Sequence, residues 1–512
     1  MLLRIGQEVQ KVPRSTRFIL KGLVTMPARV LNNKTVQHKK LDSRYIFLGL
    51  VLLSCFLFLF RLGFFPFKDY DEAVYALVTA EGWEKGEFLK LFRGNSPWID
   101  KPPGLFWVMW SSVAVFGFNE FALRLPVALM GMATLLLTYL LAMHVSRRDK
   151  RIALVAVLCL LTLGEFVYSA REVRLDIPVT FAIMLAVYGF VRGLEKSVWY
   201  LLFGVSLGMG MLFKSVIAFL AIPLILVVAA FYRRWDFMRS FYFYFSIFIF
   251  LGLTLPWHIY QIMYVDSNFL YKYFWPHVNR YGSTIQGDGN SYFLYYLRYL
   301  LQFAQPWILV FFCAIFATFT HLLNDKSIKR LVRYLGSWVL FILLLFSFSS
   351  TKLFPYIDPI YPMAAIVIAS FLVCFYDEHQ RYHMILKSSF IILVCVGLIS
   401  TTIQIFEIGE NGLRFGEYTL ARDEKAIAEI LKYQSFSREL MTSNFYSWDT
   451  IVYYVYPEKI VLKKLSDPNS KGNYFLVMPT DILEFADLHP SLASRAKQVF
   501  QGKKLTMFQV GN

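Results

Sequence analysis

Long apolar runs separated by short charged breaks constrain this chain more than any other feature. Residues 45–64, 121–145, 152–169, 177–193, 197–213, 215–232, 239–258, 298–320, 331–348, 355–375 and 385–406 read as apolar segments, eleven in all. Most of them approach the ~20 residues that an α-helix needs to cross the hydrocarbon core of a bilayer. Only 17% of the residues are charged and 57% are hydrophobic, against about 25% and about 45–50% in soluble domains. That balance excludes a soluble or disordered chain. The expected class is a polytopic α-helical membrane protein of about 11 to 13 spans.

Cys55, Cys159, Cys313, Cys374 and Cys395 all lie inside apolar runs, with no CxxC or Cys/His spacing. They read as small core or lipid-facing residues rather than disulfide or metal positions. The first apolar run follows a long basic stretch and precedes no small-residue cleavage site, so it is expected to stay as an anchor.

Charge sets the expected topology. With the N-terminus cytoplasmic, the inside segments are 1–44, 146–151, 192–196, 233–239, 321–333 and 376–387, which hold 25 Lys and Arg against 8 Asp and Glu. Their balance equals the whole net charge of +17. The basic excess is thus explained by the positive-inside rule, and no nucleic-acid partner is expected. The chain divides into a basic cytoplasmic N-terminal segment 1–44, a membrane domain 45–406 with outside loops 65–120 and 259–297, and an outside C-terminal domain 407–512. In the last, Asp423 to Tyr433 has helical periodicity, Thr450 to Tyr456 and Tyr474 to Met478 read as strands, and Pro468-Asn469-Ser470 marks a turn, which together suggest a small α/β fold.

The chemistry-bearing residues collect on the outside face. Asp71-Glu72 opens a stretch in which Asp71, Tyr75 and Val78 fall at helical spacing along the membrane surface. Such acids either cap a helix N-terminus or act as a general base toward a hydroxyl. Lys101 precedes two prolines and so sits on a stiff element that suits an anionic ligand, if it does not simply snorkel to the headgroups. Arg171-Glu172-Val173-Arg174-Leu175-Asp176 compresses four charges into one turn, where Asp176 could equally start the next helix. His277 and Arg280 would share a helix face, and Lys352 and Tyr356 lie at a span junction on the same side. Acids, cations and a His beside apolar grooves fit a substrate with a phosphate head and a lipid tail. No nucleotide-binding fingerprint is present.

In this order the motifs resemble a known family, the polyprenyl-phosphate-dependent glycosyltransferases of the GT-C fold. The likeness is to the bacterial 4-amino-4-deoxy-L-arabinose lipid A transferases and the protein O-mannosyltransferases. It rests on Asp71-Glu72-x-x-Tyr75, Asp100-Lys101-Pro102-Pro103, Phe116-Gly117-x-x-Glu120 with Arg124-Leu125-Pro126, Arg174-Leu175-Asp176-x-Pro178, His277-x-x-Arg280-Tyr281, and Lys352-Leu353-x-Pro355-Tyr356-x-x-Pro359. The resemblance covers roughly residues 45–375.

It implies periplasmic juxtamembrane helices and an inverting transfer of a sugar from a polyprenyl-phosphate-linked donor to a lipid A, glycan or protein hydroxyl. The site would face the periplasm at the bacterial inner membrane. It implies catalytic roles for Asp71, Glu72 and Asp176, with Asp71 as base. Lys101, Arg280, Lys352 and Tyr356 would hold the donor phosphate, and the lipid tail would run near Trp107 and Trp110. A divalent metal (Zn or Mg) at Asp100 and His277 is an optional cofactor, with Asp standing where Glu is more usual; none is required. The alternative class is a transporter or flippase of a lipid-linked saccharide, which would place its polar groups near mid-membrane rather than at one face.

Overall fold

The computed structural model describes residues 43–68, 71–94, 96–282, 292–406, 415–433, 439–442, 449–456, 461–464, 474–477 and 494–510, without the side chains of some helix and strand residues, among them His277, Arg280 and Tyr281. Nearly all of the basic N-terminal segment and the turn expected at Pro468 to Ser470 lie outside the described residues.

The chain begins with α1 (Ser43–Leu59), then α2 (Asp71–Lys85), a small hairpin of β1 (Phe92–Arg93) and β2 (Ser96–Pro97), and α3 (Gly104–Phe116). Next come α4 (Glu120–Val145), α5 (Lys150–Leu161), α6 (Gly164–Ser169), α7 (Asp176–Glu195), α8 (Tyr200–Lys214), α9 (Ala221–Tyr232), α10 (Phe241–Tyr264) and α11 (Phe269–Gly282). The helical part ends with α12 (Tyr295–Phe303), α13 (Trp307–Ala317), α14 (Lys326–Ser347), α15 (Ile360–Glu378) and α16 (His383–Phe406). Local chemistry sets several starts. Asn119 accepts the Ala122 amide at 2.8 Å to cap α4, Asp149 accepts the Arg151 amide at 2.9 Å to cap α5, and Asp325 accepts the Ser327 amide at 2.7 Å to cap α14.

Among the described residues, seven helices are long and apolar enough to cross a bilayer, or eight with the pair α12 and α13, which bends by 117°. The eleven apolar runs therefore do not map one to one onto long helices. The run 152–169 splits into α5 and α6, each too short to span alone, and 298–320 breaks at the α12–α13 bend. By contrast Ser197–Tyr232, one uninterrupted helical run of 36 residues, reverses direction. A Cβ added to Gly210 would lie 2.8 Å from Ala218, whereas eight residues of straight helix would separate them by about 12 Å. The reversal falls at Ser215, whose φ of 54° is the left-handed conformation that such a corner needs. The run therefore turns back on itself at Ser215, between the two apolar segments read from the sequence.

The bundle core is built from Phe58, Phe106, Phe166, Phe190, Trp307 and Trp338, all fully buried, while Phe241, Phe248, Phe319 and Met384 point outward as a lipid-facing surface would. Small residues allow the closest helix contacts: a Cβ on Gly204 of α8 would meet the Ser246 carbonyl of α10 at 2.1 Å. At one end of the bundle Arg151 binds Asp377 with two bonds of 2.8 Å, and the Asn324 amide donates to Glu378. Three of the breaks grouped by charge on one face thus meet in space.

After α16 come α17 (Phe415–Tyr433), β3 (Glu439–Thr442), α18 (Asp449–Val455), β4 (Val461–Lys464), β5 (Tyr474–Val477), β6 (Ala496–Gln501) and β7 (Thr506–Val510). The strands form one mixed sheet in the order β4-β3-β5-β7-β6, parallel at β3 and antiparallel around β7. Ile427, Leu431, Leu440, Ile451, Leu476 and Met507 make its core. The helix expected from Asp423 and the strand from Tyr474 are present. The strand expected over Thr450 to Tyr456 is instead α18: Ile451 and Val455, four residues apart, bury one face, and Asp449 occupies the first turn.

Candidate functional site

The site grows from the strap that follows α1, residues 60–68. Arg124 of α4 reaches under it and donates to the carbonyls of Leu62 (3.1 Å), Phe65 (2.7 Å) and Pro66 (3.0 Å). The same guanidinium binds Glu72 in a fork, Nε to Oε1 at 2.9 Å and Nη2 to Oε2 at 2.8 Å. Glu72 also accepts the Val173 amide at 2.9 Å and the Lys68 amide at 3.3 Å. Arg171 donates to the carbonyls of Leu57 (2.7 Å) and Phe60 (2.9 Å) and so closes the C-terminal end of α1.

A second buried knot lies beside it. Glu172 takes the Lys68 ammonium on one oxygen and the Arg174 Nε at 2.6 Å on the other, and Tyr168 also receives Lys68. Burial works against the Arg174 charge, but Glu172, Asp71 and the other acids around it outweigh that and hold its guanidinium well above its ordinary range. Asp71, in the first turn of α2 and only half-buried, accepts a hydrogen bond from Tyr75 one turn on. Burial first, and then Asp71 and Asp176, push the Tyr75 phenol far above its usual value, so it stays a donor. Asp176, at the head of α7, pairs with Lys214 at the end of α8.

Lys214 joins this acid cluster to a cavity. Asp100, Lys101, Pro102, Lys214, Ser215 and Tyr356 line its polar part; Val216, Ile217, Leu220, Leu345 and Phe346 make an apolar wall around ≈1000 Å³ of empty space continuous with the outside. Lys214 lies over the Tyr356 ring at 5.2 Å, within the range of a cation–π contact. Two ammonium groups thus stand where an apolar channel meets a polar mouth, a shape suited to an anionic head on a lipid tail.

Of the residues singled out by sequence, Asp100, Lys101 and Tyr356 share this cavity, Asp176 adjoins it through Lys214, and Asp71 lies within electrostatic reach of Asp176. Glu72 does not join them: its carboxylate is 1% exposed and committed to Arg124, Val173 and Lys68. These contacts tie it to the strap and to the turn before α7. Lys352 is buried behind the wall and donates to the Ser349 carbonyl, and burial pushes its ammonium below the usual lysine range. The side chains of His277 and Arg280 lie outside the described residues, although the expected helix around them is present as α11. Trp110 is not in a lipid groove; it is buried, with its indole N–H on the Thr79 carbonyl at 2.8 Å. Lys214 escaped sequence reading because a Lys ending an apolar run looks like a snorkelling residue. Ser215, which turns the chain at that point, gives no sequence signal of its own.

Among the described residues no three His, Cys, Asp or Glu side chains converge as a metal site. Asp100 alone is a poor donor set for Zn or Mg.

Residues 100–260 match the family model described as dolichyl-phosphate-mannose-protein mannosyltransferase. An uncharacterised protein of Aquifex aeolicus is 30% identical over 331 residues, which cover 64% of each chain. The undecaprenyl phosphate-alpha-4-amino-4-deoxy-L-arabinose arabinosyl transferase of Enterobacter sp. (strain 638) is 28% identical over 336 residues, 63% of this chain and 58% of that one. The chain thus spans about three fifths of the length of these curated relatives. The crystal structure of ArnT from Cupriavidus metallidurans bound to undecaprenyl phosphate shares its fold, with a TM-score of 0.68 at 17% identity over 91% of this chain and 98% of that one. The ordered motifs, the family match over residues 100–260, these relatives and the shared fold all point the same way: the chain resembles the membrane glycosyltransferases of the GT-C superfamily.

Proposed function

We propose that this chain transfers a sugar from a polyprenyl-phosphate donor to a hydroxyl of a lipid A, glycan or protein acceptor at the periplasmic face of the inner membrane. One observation carries the reading: Lys101 and Lys214 flank a cavity whose other wall is apolar, beside the acids Asp71 and Asp176. The acceptor oxygen attacks the anomeric carbon while the bond to the phosphate oxygen breaks, and its electron pair leaves with the lipid phosphate. Asp71 takes the acceptor proton. Lys101 and Lys214 stabilise the charge gathering on the departing phosphate, with Arg280 as a third cation. The tail lies along Ile217, Leu220 and Leu345.

Lys214 and Asp176 act as a pair in this scheme. The ammonium is held by Asp176, which fixes it at the cavity edge, ready for the donor phosphate. The charged side chains of the candidate site stand at helix ends, Asp71 and Asp176 in first turns and Lys214 in the last turn of α8, which favours transfer over transport.

The test is mass spectrometry of lipid A, other envelope glycans and membrane proteins from cells with and without the chain, with Asp71→Asn as control. One sugar mass lost in both the deletion and the variant supports the reading and names the acceptor. No difference in any fraction, or full transfer by Asp71→Asn, refutes it.

A further inference from the structure

The C-terminal domain has no part in the transfer step as written, yet it grips the element that carries Asp71. Helix α18 lies along α2 and holds it at both ends. Before the first turn of α2, the Tyr454 hydroxyl accepts the Phe67 amide at 2.9 Å and donates to Glu120 at 2.7 Å. Lys425 of α17 binds the same Glu120 oxygen at 2.6 Å. Phe67 itself is fully buried, edge-on to Tyr453 at 5.1 Å and stacked on Tyr454 at 6.2 Å. In the last turn of α2, Glu84 receives the Tyr456 hydroxyl. Alongside, Arg93 of the hairpin forks onto Asp449 at 2.7 and 2.9 Å. From the bundle side Arg124 and Val173 hold Glu72, so α2 is fixed between two layers.

We infer that Tyr454 is a positioning residue for the transfer: through the Phe67 amide it holds the strap leading into α2, and with it the C-terminal domain clamps Asp71 in place. The inference rests on the proposed role of Asp71 as base. Its physical content is specific. Phe67 stands four residues before Asp71, its amide has the Tyr454 oxygen as acceptor, and removing that oxygen leaves a buried N–H to be satisfied some other way. The strap must then shift, and a displacement of about 1 Å at a reacting group can cost on the order of 100-fold in rate.

The experiment uses the full chain in detergent micelles, as wild type and Tyr454→Phe, with three readouts. Hydrogen exchange reports the strap and α2. Binding of undecaprenyl phosphate reports the cavity. Transfer from undecaprenyl-phosphate-linked 4-amino-4-deoxy-L-arabinose to lipid A reports the reaction. The variant is expected to exchange roughly 10-fold faster over residues 67–75 while α7 and α8 are unchanged. Its kcat should fall by about 10-fold or more, with undecaprenyl phosphate affinity and KM within about twofold of wild type. Unchanged exchange at the strap overturns the inference, and so does faster exchange with wild-type kcat. Should Tyr454→Phe fail to fold, Arg93→Gln loosens the same helix from a more exposed partner and should move exchange and kcat in the same direction. A wild type that binds the lipid phosphate but transfers nothing counts against the proposed function; the exchange readout then decides the clamp by itself.

Discussion

Asp358 offers a test of the buried electrostatics that needs no substrate. It sits between the turn at Phe354–Ile357 and the first residue of α15, with 0% exposure, and neither carboxyl oxygen has a hydrogen-bond partner among the described residues. The Ser169 hydroxyl faces it without good bonding geometry, and Lys214, the cation that bears on it, is committed to Asp176. Burial, then the negative charges of Asp176 and Glu165, push the Asp358 carboxyl well above the usual range. The folded protein therefore keeps this proton at pH values where the unfolded chain, with a carboxyl pKa of about 3.9, has lost it. Above that value the folded state binds more protons than the unfolded state, so stability falls as pH rises, by up to about 1.4 kcal/mol per pH unit until the folded carboxyl ionises. Asp358→Asn removes the titration while keeping shape. Its advantage over wild type should be absent in acid, grow with that slope above the unfolded pKa, and level off once the folded carboxyl titrates. Unfolding midpoints of the two proteins in micelles across a pH series measure the gap. A gap that stays flat with pH, or a wild type more stable than Asp358→Asn at neutral pH, refutes the argument.

Other outcomes follow from the same contacts. Glu72→Gln strips the charge from a buried fork and leaves Arg124 uncompensated, so it should destabilise the protein by about 3–5 kcal/mol; a denaturation midpoint close to wild type would show that Glu72 does not hold the strap. Lys214→Ala should lower transfer by roughly 100-fold, comparable to loss of one charge-stabilising donor, with folding intact by size-exclusion profile; a twofold effect on transfer would remove Lys214 from the phosphate site. Gly204→Ala drives a methyl group against the Ser246 backbone and should cost about 1–3 kcal/mol, read as a lower thermal midpoint; no shift would mean that α8 and α10 can part freely at that point.

How far the sequence could be read depended on whether the answer was local. Apolar runs, caps and the first turn of α2 are set within a few residues, so the helix at Asp71 and the break in the apolar run at Lys214 could be anticipated. The length of each pass is not local: 152–169 is apolar enough for one span, but the chain breaks between Leu161 and Gly164. Glu72 shows the limit for the site. It is adjacent to Asp71, carries the same charge and lies in the same motif, yet one turns to Arg124 and the other to Tyr75. Successive residues on a helix point about 100° apart, so adjacency in sequence separates such side chains in space. Lys214 makes the converse case. It is 113 residues from Lys101 in the sequence, and the two share a cavity only because α8 ends beside the Lys-Pro-Pro segment. Gly104, just past those prolines, has no room for a Cβ, which would lie 2.6 Å from the Leu212 carbonyl. That close approach of two backbones brings the cations together, so the cavity between Lys101 and Lys214 is created by packing, and the motif supplies one half of its lining.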